Sequence, residues 1–461
     1  MDIDKACEMF RNKKITLLGL GLLGRAVGDA EFLGICGAEV LVTDKKNDAE
    51  LAESVEKLKK YKNISFHLGE HRAEDFTGCD FVVKAAGVPL DSLEVAAART
   101  SGVPVYMSTA LFAKSATEEG VTIVGVTGTR GKSTIAHLIH HSLIRANKRT
   151  TLGGNVRGKS TLALLSEVRK GDIAVLELDS WQLQGFGDLK ISPHISVFTN
   201  FLQDHVNYYP TTDVYFADKA NIFKFQRPDD ALIVGAQAFE RVQTAHTPCE
   251  PFVPPPIPAD WKLKILGEHN RENASLAAAA LRALPAPACR TGRGRQGSAL
   301  TEEEIRAGLE SFAGVEGRLQ FVRKVKGVKI YNDNNATTPE ATIAALRAVG
   351  DARQRNVVLI VGGDDKNLDM SELVKEIPKW CSKVVLFKER GTERIRDDVL
   401  ALELNVLVYE EEGLRACVDK SVAIAESGEI ILYSPAFSSF GKYFKNEFDR
   451  NDQFLALVKA L

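Results

Sequence analysis

Short apolar runs recur along the whole chain, and longer stretches with helical spacing of apolar and polar positions separate them. Such runs are typical of strands that are buried on both faces of a parallel sheet. They occur at residues 15–18, 40–43, 81–83, 103–105, 121–127, 173–178, 195–199, 357–361, 384–387, 406–409 and 430–433. The alternation predicts an α/β protein with open, mostly parallel sheets.

The runs fall into three groups, and a chain of 461 residues is long enough for three domains that each bury a core. We place the domains at residues 1–117, 118–316 and 317–461. The stretch 284–298 is rich in Pro, Arg, Gly and Ala. This composition is typical of a surface loop or insertion whose basic side chains are solvated.

Charge and cysteine content limit the expected partners and the expected compartment. A formal net charge of −2 gives no reason to expect nucleic acid or an anionic membrane as a partner. The polar start lacks the apolar core of a signal peptide, and no apolar run approaches a membrane span. The seven cysteines, an odd number without a C-x-x-C pair, indicate a reducing compartment and ordinary buried thiols. We therefore expect a cytoplasmic protein. We also expect a monomer.

A glycine-rich loop between an apolar run and a helical stretch carries the strongest chemical signal. Its residues are Gly128, Thr129, Arg130, Gly131, Lys132, Ser133 and Thr134. In this arrangement backbone N–H groups and a helix N-terminus face a phosphate, the lysine adds a point charge, and the serine hydroxyl can bind Mg²⁺. The usual pattern has a glycine where this chain has Val126. A plain glycine turn is the alternative, and the flanking elements favour a phosphate site.

A second loop, with the pattern G-x-G-x-x-G, follows the first apolar run. Gly19, Gly21 and Gly24 supply the glycines, and Asp44 ends the next run, twenty residues past Gly24. This is the spacing of a dinucleotide-binding site, in which the acid accepts a hydrogen bond from a ribose hydroxyl. Alone, the pattern indicates only a nucleotide-like ligand. An NAD-dependent oxidoreductase would leave the other phosphate loop unexplained.

Polar residues in the middle segment lie where parallel sheets bind ligands. Glu177 ends an apolar run, and Asp204-His205 follows the next run. A carboxylate here suits Mg²⁺, although a solvated strand-end acid fits as well. A lone histidine more often has a structural role than a ligand-binding one, but an acid beside it, just past a strand end, favours a functional role. Lys219 lies in a helical pattern, where a solvated lysine is the ordinary case.

Three polar segments follow apolar runs in the last third of the chain. They span residues 332–339, 362–366 and 434–439. Each could form a ligand site at a strand end. Each could equally be an Asx turn, a plain turn or a helix cap.

Taken together, the motifs resemble those of the Mur ligases, in family order and across nearly the whole chain. The matching segments are residues 127–134, 153–155, 177–183, 204–205, 219, 269–273, 317–318, 332–333, 362–366 and 434–436. The resemblance implies a Rossmann-like domain for a UDP sugar, a central P-loop ATPase domain and a C-terminal Rossmann-like domain for an amino acid. It also implies ATP and Mg²⁺ as cofactors.

The implied reaction has two steps. ATP phosphorylates the terminal carboxylate of UDP-N-acetylmuramoyl-L-alanine to give an acyl phosphate. The amine of D-glutamate then attacks, a tetrahedral intermediate forms, and phosphate leaves. Because both partners of the first step are anionic, the chemistry needs positioning and charge neutralisation.

The resemblance also assigns roles to individual residues. Catalysis falls to Lys132, Glu177, His205 and Lys219. ATP binding falls to Gly128, Thr129, Arg130, Gly131, Lys132, Ser133, Thr134, Asn273, Arg318 and Asp333. Mg²⁺ would be held by Ser133, Glu177, His205 and a carbamylated Lys219. The UDP sugar would contact Gly19, Gly21, Leu22, Leu23, Gly24, Asp44 and Asn155, and the amino acid would contact Thr337, Lys366 and Ser439.

The chain departs from the family pattern at four places. Asn335 replaces a usual lysine near the acceptor site, Ala85-Ala86 replaces Ser-Pro, and Arg130 replaces a frequent asparagine. After Ser439 the tail has one extra residue. Two alternatives therefore stand beside the glutamate-adding ligase: a related Mur-type ligase with another acceptor, and a nucleotide-binding protein with a degenerate site.

Overall fold

The computed structural model describes residues 3–22, 24–204, 208–245, 247–285, 299–402 and 406–461. Its strands form three sheets, and the prediction of an α/β fold is confirmed. The chain divides into two compact units. The first unit holds residues 1–258 and 273–309, and the second holds residues 259–272 and 310–461.

The first sheet is parallel throughout, with the strand order β3-β2-β1-β4-β5. Its strands are β1 (Lys14–Leu18), β2 (Glu39–Asp44), β3 (Ile64–Leu68), β4 (Phe81–Lys84) and β5 (Val105–Tyr106). The helices of this segment are α1 (Ile3–Cys7), α2 (Arg25–Ile35), α3 (Asp48–Leu58), α4 (Leu93–Thr100) and α5 (Ser108–Glu118). This is the order of a Rossmann-type mononucleotide-binding sheet, with β1 at the switch point.

The second sheet is also parallel and has the order β11-β10-β9-β6-β8-β7. Its strands are β6 (Thr122–Thr127), β7 (Thr150–Gly154), β8 (Ile173–Glu177), β9 (Ile195–Phe198), β10 (Ala231–Val234) and β11 (Pro251–Phe252). Its helices are α6 (Lys132–Arg145), α7 (Ser180–Leu189), α8 (Thr212–Ala220) and α9 (Phe239–Gln243). Because β6 lies between β8 and β9, the loop that follows β6 opens at a switch point.

Two further helices, α10 (Glu268–Arg282) and α11 (Glu302–Ser311), contain the boundary between the compact units. Short 3₁₀ turns lie at Ala73–Phe76, Leu162–Ser166 and Ala236–Ala238. One hydrophobic core joins the elements of both sheets in the first unit. It includes Phe10, Phe112, Phe186 and Phe198, each of which is fully buried.

The third sheet lies in the second unit and has the order β12-β13-β17-β14-β15-β16. Its strands are β12 (Gln320–Val325), β13 (Val328–Asn332), β14 (Val357–Val361), β15 (Cys381–Phe387), β16 (Leu407–Glu411) and β17 (Ile430–Tyr433). Its helices are α12 (Pro339–Val349), α13 (Ser371–Trp380), α14 (Arg390–Leu400), α15 (Leu414–Ile424) and α16 (Glu447–Lys459). Only β12 is antiparallel to its neighbour among these strands. Alternate residues of β14 enter separate cores on the two faces.

The cysteines differ from the sequence-based expectation. Cys7 and Cys36 form a disulfide that ties α1 to the end of α2, so these two are not free buried thiols. Four other cysteines of the described residues, Cys79, Cys249, Cys381 and Cys417, are free, and Cys79 is only partly buried. The seventh lies in the segment 286–298, outside the described residues, as does most of the expected surface loop. Within the described ranges, no helix is long and apolar enough to cross a membrane.

Candidate active site

The loop after β6 has the backbone of a phosphate-binding loop. Gly131 is the N-cap of α6 and has a φ of 84°, and Gly128 has a φ of 134°. Both values lie in the region that favours glycine. A Cβ atom on Gly131 would lie only 2.5 Å from Oδ1 of Asn273, which places this predicted ATP ligand against the loop. The amide groups at the N-terminus of α6 therefore face the space where a phosphate would bind.

Lys132 and Thr134 belong to the first turn of α6. The Lys132 ammonium group donates hydrogen bonds to the carbonyls of Gly128 and Thr129, each over 3.0 Å. It therefore already lies over the loop and needs only to exchange carbonyl oxygens for phosphate oxygens. Thr134 is buried, which anchors the turn in the core.

Ser133 and Glu177 bring two oxygen ligands together beside the loop. The Ser133 hydroxyl donates to Oε1 of Glu177 over 2.9 Å. Glu177 ends β8, pairs with Val126 of β6, and is only 4% exposed. Because Mg²⁺ prefers oxygen ligands and keeps some of its own waters, this pair fits one side of a magnesium site.

Lys219 is a fully buried lysine on α8. Its ammonium group donates to the carbonyl of Gly128 over 2.9 Å and lies 4.9 Å from the centre of the Tyr215 ring. Burial and the neighbouring charge of Lys132 hold the pKa of Lys219 well below its ordinary value. Lys219 therefore does not lie on a solvated helix face, the ordinary case for a helix lysine, and its surroundings disfavour the charged form.

Arg130 belongs to the same loop and is held by residues that follow β9. Its backbone N–H donates to Oδ1 of Asn200 over 2.8 Å, and its guanidinium pairs with Asp204 at 3.2 Å. The carbonyl of Asn200 accepts from the N–H of Thr129. His205, a predicted metal ligand, lies outside the described residues. Within the described part of the chain, no cluster of three or more His, Cys, Asp or Glu side chains could hold a metal ion.

The G-x-G-x-x-G loop takes the expected form, and its residues Gly19, Gly21 and Leu22 line part of a cavity of about 420 Å³. Gly19, Gly21 and Gly24 all have a positive φ. Asp44 lines the cavity, and its carboxylate accepts from the backbone N–H groups of Leu20, Gly21 and Lys46 at 2.8–3.0 Å. These hydrogen bonds fix the loop. They also use much of the accepting capacity of the Asp44 carboxylate, which we expected to bind a ribose hydroxyl.

The other predicted contacts of the UDP sugar divide between described and undescribed residues. Leu22 lines the cavity with a half-exposed side chain, whereas Leu23 lies outside the described residues. Asn155 follows β7, and its N–H donates to the carbonyl of Glu177 over 2.7 Å. A Cβ atom on Gly154 would lie 2.0 Å from that same carbonyl, so the β7 loop packs tightly against the strand that carries Glu177.

Sequence reasoning missed several titratable residues of the cavity, among them Lys84 and Asp29. Lys84 ends β4 and is buried, and its ammonium group donates to the carbonyls of Ala85 and Val88. Burial lowers the pKa of Lys84 to about 8. Asp29 of α2 accepts from the Ser160 hydroxyl over 2.6 Å, and burial raises the pKa of Asp29 to about 6. The sequence does contain a signal for Lys84, because this lysine directly follows the apolar run 81–83.

In the second compact unit, Asp333 follows β13 and is buried. Its carboxyl group accepts from the N–H of Leu319 and the hydroxyl of Ser434, both over 2.9 Å. Burial is the main cause that raises the pKa of Asp333 to about 7, and Arg318 opposes that shift. Arg318 itself donates its N–H to the carbonyl of Val315. The two predicted ATP ligands of this unit therefore interact electrostatically.

Replacing Asp333 by asparagine should flatten the pH dependence of unfolding. Because burial raises the pKa of Asp333, the folded protein binds a proton that the unfolded chain releases near the ordinary pKa of an aspartate, about 3.9. The contribution to stability is complete below that value and is lost as pH rises through about 7. Between about pH 4 and pH 8, the wild type should lose about 2–4 kcal/mol relative to Asp333→Asn. Urea unfolding of both proteins at the two pH values measures this, and an equal difference at both would contradict it.

The predicted acceptor residues lie on neighbouring loops of the third sheet. The Lys366 ammonium group donates to the Thr337 hydroxyl over 3.0 Å. Ser439 is 2% exposed, within the loop that follows β17. Asn335, in place of the usual lysine, donates its N–H to the carbonyl of Gly317 and its amide group to that of Glu316. It therefore supports the local backbone and adds no charge.

Arg450 of α16 is a further residue that sequence reasoning missed. It is 1% exposed, and among the residues that the structure describes its guanidinium donates to neutral acceptors. Nε and Nη2 bond to Oδ1 and the carbonyl of Asn334, and Nη1 bonds to the carbonyls of Phe437 and Ser438. Arg450 thus ties the end of β13 to the loop that carries Ser439.

Replacing Arg450 by lysine should destabilise the second unit by about 2–4 kcal/mol, because one ammonium group cannot reach four buried acceptors. The displaced loop should also raise the KM for the acceptor. Urea unfolding and acceptor titration measure the two effects. Arg415, exposed on α15, provides the matched control Arg415→Lys. Equal stability of the two variants would contradict the assigned role.

Comparison with known proteins places these sites in a family. Residues 13–107 match the model of the Mur ligase MurD-like N-terminal domain. Residues 126–249 match the Mur ligase middle domain, and residues 317–437 match the Mur ligase glutamate ligase domain. The three matches follow one another along the chain, and each falls on one of the three sheets.

Full-length relatives and solved structures agree. The UDP-N-acetylmuramoylalanine–D-glutamate ligase of Roseiflexus sp. (strain RS-1) is 32% identical over 97% of this chain and 98% of its own. That of Borreliella afzelii (strain PKo) is 31% identical over 98% and 99%. The fold matches the UDP-N-acetylmuramate-alanine ligase MurC of Thermotoga maritima with a TM-score of 0.62 at 18% identity, over 97% and 99% of the chains. With a MurF ligase from Thermotoga maritima in complex with ADP, the TM-score is 0.56 at 14% identity, over 99% and 97%. On this evidence, the chain belongs to the Mur ligase family.

Proposed function

We propose that this protein is an ATP-dependent ligase that adds D-glutamate to UDP-N-acetylmuramoyl-L-alanine in the cytoplasm, for the synthesis of peptidoglycan precursors. The observation that carries the proposal is the group of Lys132, Ser133, Glu177 and Lys219 around one phosphate loop. Relatives that carry the name of this activity match along 97–98% of the chain. We further propose functional domains at 1–117, 118–316 and 317–461, in a monomer.

The first step transfers the γ-phosphoryl group of ATP to the carboxylate of the UDP sugar. A carboxylate oxygen forms a bond to the phosphorus, the bond between the β and γ phosphates breaks, and ADP leaves. Two anions must approach each other, so the reaction depends on fixed positive charge. Lys132 and the N-terminus of α6 supply that charge, and Asn273 supports the loop from the other side.

The residues present fit a magnesium ion on the nucleotide. Ser133 and Glu177 would hold it through oxygen atoms, and His205 and a modified Lys219 are the further ligands we propose. When bound, the ion would neutralise charge on the transferring phosphoryl group. Lys219 suits the modification because a neutral amine can attack carbon dioxide, forming an N–C bond and releasing a proton. The anionic carbamate would then replace a cation beside the loop.

The second step joins the acceptor amine to the acyl phosphate. The amine attacks the acyl carbon, a tetrahedral intermediate forms, and the C–O bond to phosphate breaks. We propose that Lys366, Thr337 and Ser439 hold the carboxylates of D-glutamate, as the hydrogen bond between the first two favours. Arg318 and Asp333 complete the nucleotide site in the same proposal.

The decisive experiment measures phosphate release from ATP with UDP-N-acetylmuramoyl-L-alanine and one amino acid at a time. We expect release that depends on D-glutamate. Release with a different amino acid would keep the mechanism and change the acceptor, an alternative that Asn335 raises. Failure with every amino acid despite ATP binding would favour a protein that only binds nucleotides.

A further inference from the structure

Arg25 is the first residue of α2 and directly follows the G-x-G-x-x-G loop. Its half-buried side chain lines the 420 Å³ cavity, where its Nη1 donates to Oδ1 of Asn155 over 2.7 Å. The hydrogen bond spans from the N-terminus of α2 to the loop after β7. Arg25 therefore joins two segments to which the UDP sugar is assigned.

The guanidinium retains most of its donors. Among the residues that the structure describes, Asn155 is its one hydrogen-bond partner, and no carboxylate lies within 4.0 Å of it. Asp29, one turn along α2, has its carboxylate bonded to Ser160. A guanidinium has five N–H donors, so Nε and Nη2 remain for a ligand. Lys159 lines the same cavity and adds a further basic side chain.

The position of Arg25 also supplies donors to a cavity that has an apolar edge. Ala85 lines the cavity, and a Cβ atom on Gly19 would lie 3.1 Å from its side chain. The Ala85 methyl group cannot donate a hydrogen bond. A guanidinium at the start of α2 supplies donors to the cavity and adds the positive charge that phosphate oxygens favour.

We infer that Arg25 binds the diphosphate of the nucleotide sugar, an inference that rests on the proposed function. Nη1 stays bonded to Asn155, while Nε and Nη2 donate to phosphate oxygens that also face the N-terminus of α2. The bond to Asn155 fixes the guanidinium before the ligand arrives. Arg25 is thus a specificity residue for diphosphate, and Asn155 is its positioning partner.

The test compares UDP with uridine, both measured by direct calorimetric titration of the full chain. We expect Arg25→Met to weaken UDP binding by about 10- to 100-fold, the worth of one or two charge-assisted hydrogen bonds. Uridine binding should not change, because uridine lacks the phosphates. The UDP affinity of Arg25→Lys should fall between those of the wild type and Arg25→Met. The control Arg11→Met removes an exposed arginine whose partner is Asp4.

Three results would overturn the inference. Arg25→Met could bind UDP like the wild type. It could lose UDP and uridine equally, which would indicate a collapsed loop. Finally, wild-type protein that does not bind UDP would remove the nucleotide-sugar assignment and with it the proposed function. Since the titration requires no turnover, the failure of Arg25 alone is distinguishable from the failure of the proposed function.

Discussion

Replacing Lys219 by arginine should lower ligase turnover by about 10²–10³-fold, because the loss of an anionic group beside the phosphoryl site costs several kcal/mol of transition-state stabilisation. The wild-type amine is buried against the Gly128 carbonyl, with a pKa well below its ordinary value. A lowered pKa favours the unprotonated amine that carbamate formation requires. Arginine keeps a positive charge and cannot form one. Turnover is measured by phosphate release, and carbamylation by magnetic resonance of protein exposed to isotope-labelled bicarbonate.

Lys224 supplies the matched control, since it is exposed and follows the same helix. Lys224→Arg should retain full turnover and the labelled carbamate signal. The signal should disappear in Lys219→Arg while the urea unfolding midpoint stays near that of the wild type. Full turnover of Lys219→Arg, or a carbamate signal that survives the substitution, would remove Lys219 from the mechanism.

Most strands of the sheets could be predicted from the sequence, because parallel strands that are buried on both faces consist of continuous apolar residues. The strands β1, β2, β6, β8, β14 and β17 coincide with such runs to within one or two residues. Several missed strands have more polar sequences, although the apolar β10, with the sequence Ala-Leu-Ile-Val, was also missed. Polar residues interrupt the sequence Ile-Ser-Phe-His-Leu of β3, and Thr-Thr-Leu-Gly-Gly of β7 contains one large apolar residue. Both lie on or near a sheet edge, where one face stays accessible and the apolar signal weakens.

Some site residues could likewise be predicted from the local sequence, whereas others could not. Glu177 could be placed from the sequence because the end of a parallel strand is a general ligand position. The burial of Lys219 and Arg450 could not, since it depends on neighbours distant in the chain. The helical pattern around Lys219 predicts a solvated face, yet its contacts are with the loop after β6. Arg450 satisfies its donors on segments before and after β17, which no local pattern encodes.

Lys132→Met is expected to have the other large effect, a loss of about 10²–10³-fold in turnover. The side chain keeps its length, but the cation at the β and γ phosphates is gone. A second consequence follows from the charge between neighbouring residues. Lys132 is the largest electrostatic cause of the lowered pKa of Lys219, so its removal should raise that pKa. Less of the Lys219 amine would then be neutral, and the carbamate signal should weaken.

These two consequences separate a charge effect from a collapsed loop. Lys170→Met, at an exposed lysine beside Gly120, is the control and should change neither turnover nor carbamylation. Lys132→Arg should keep the pKa of Lys219 low and preserve the carbamate, while turnover still falls because the bulkier guanidinium fits the loop poorly. If Lys132→Met lost turnover but kept the full carbamate signal, the coupling of the two lysines would be wrong. A wild-type rate would show that Lys132 does not contact the nucleotide at all.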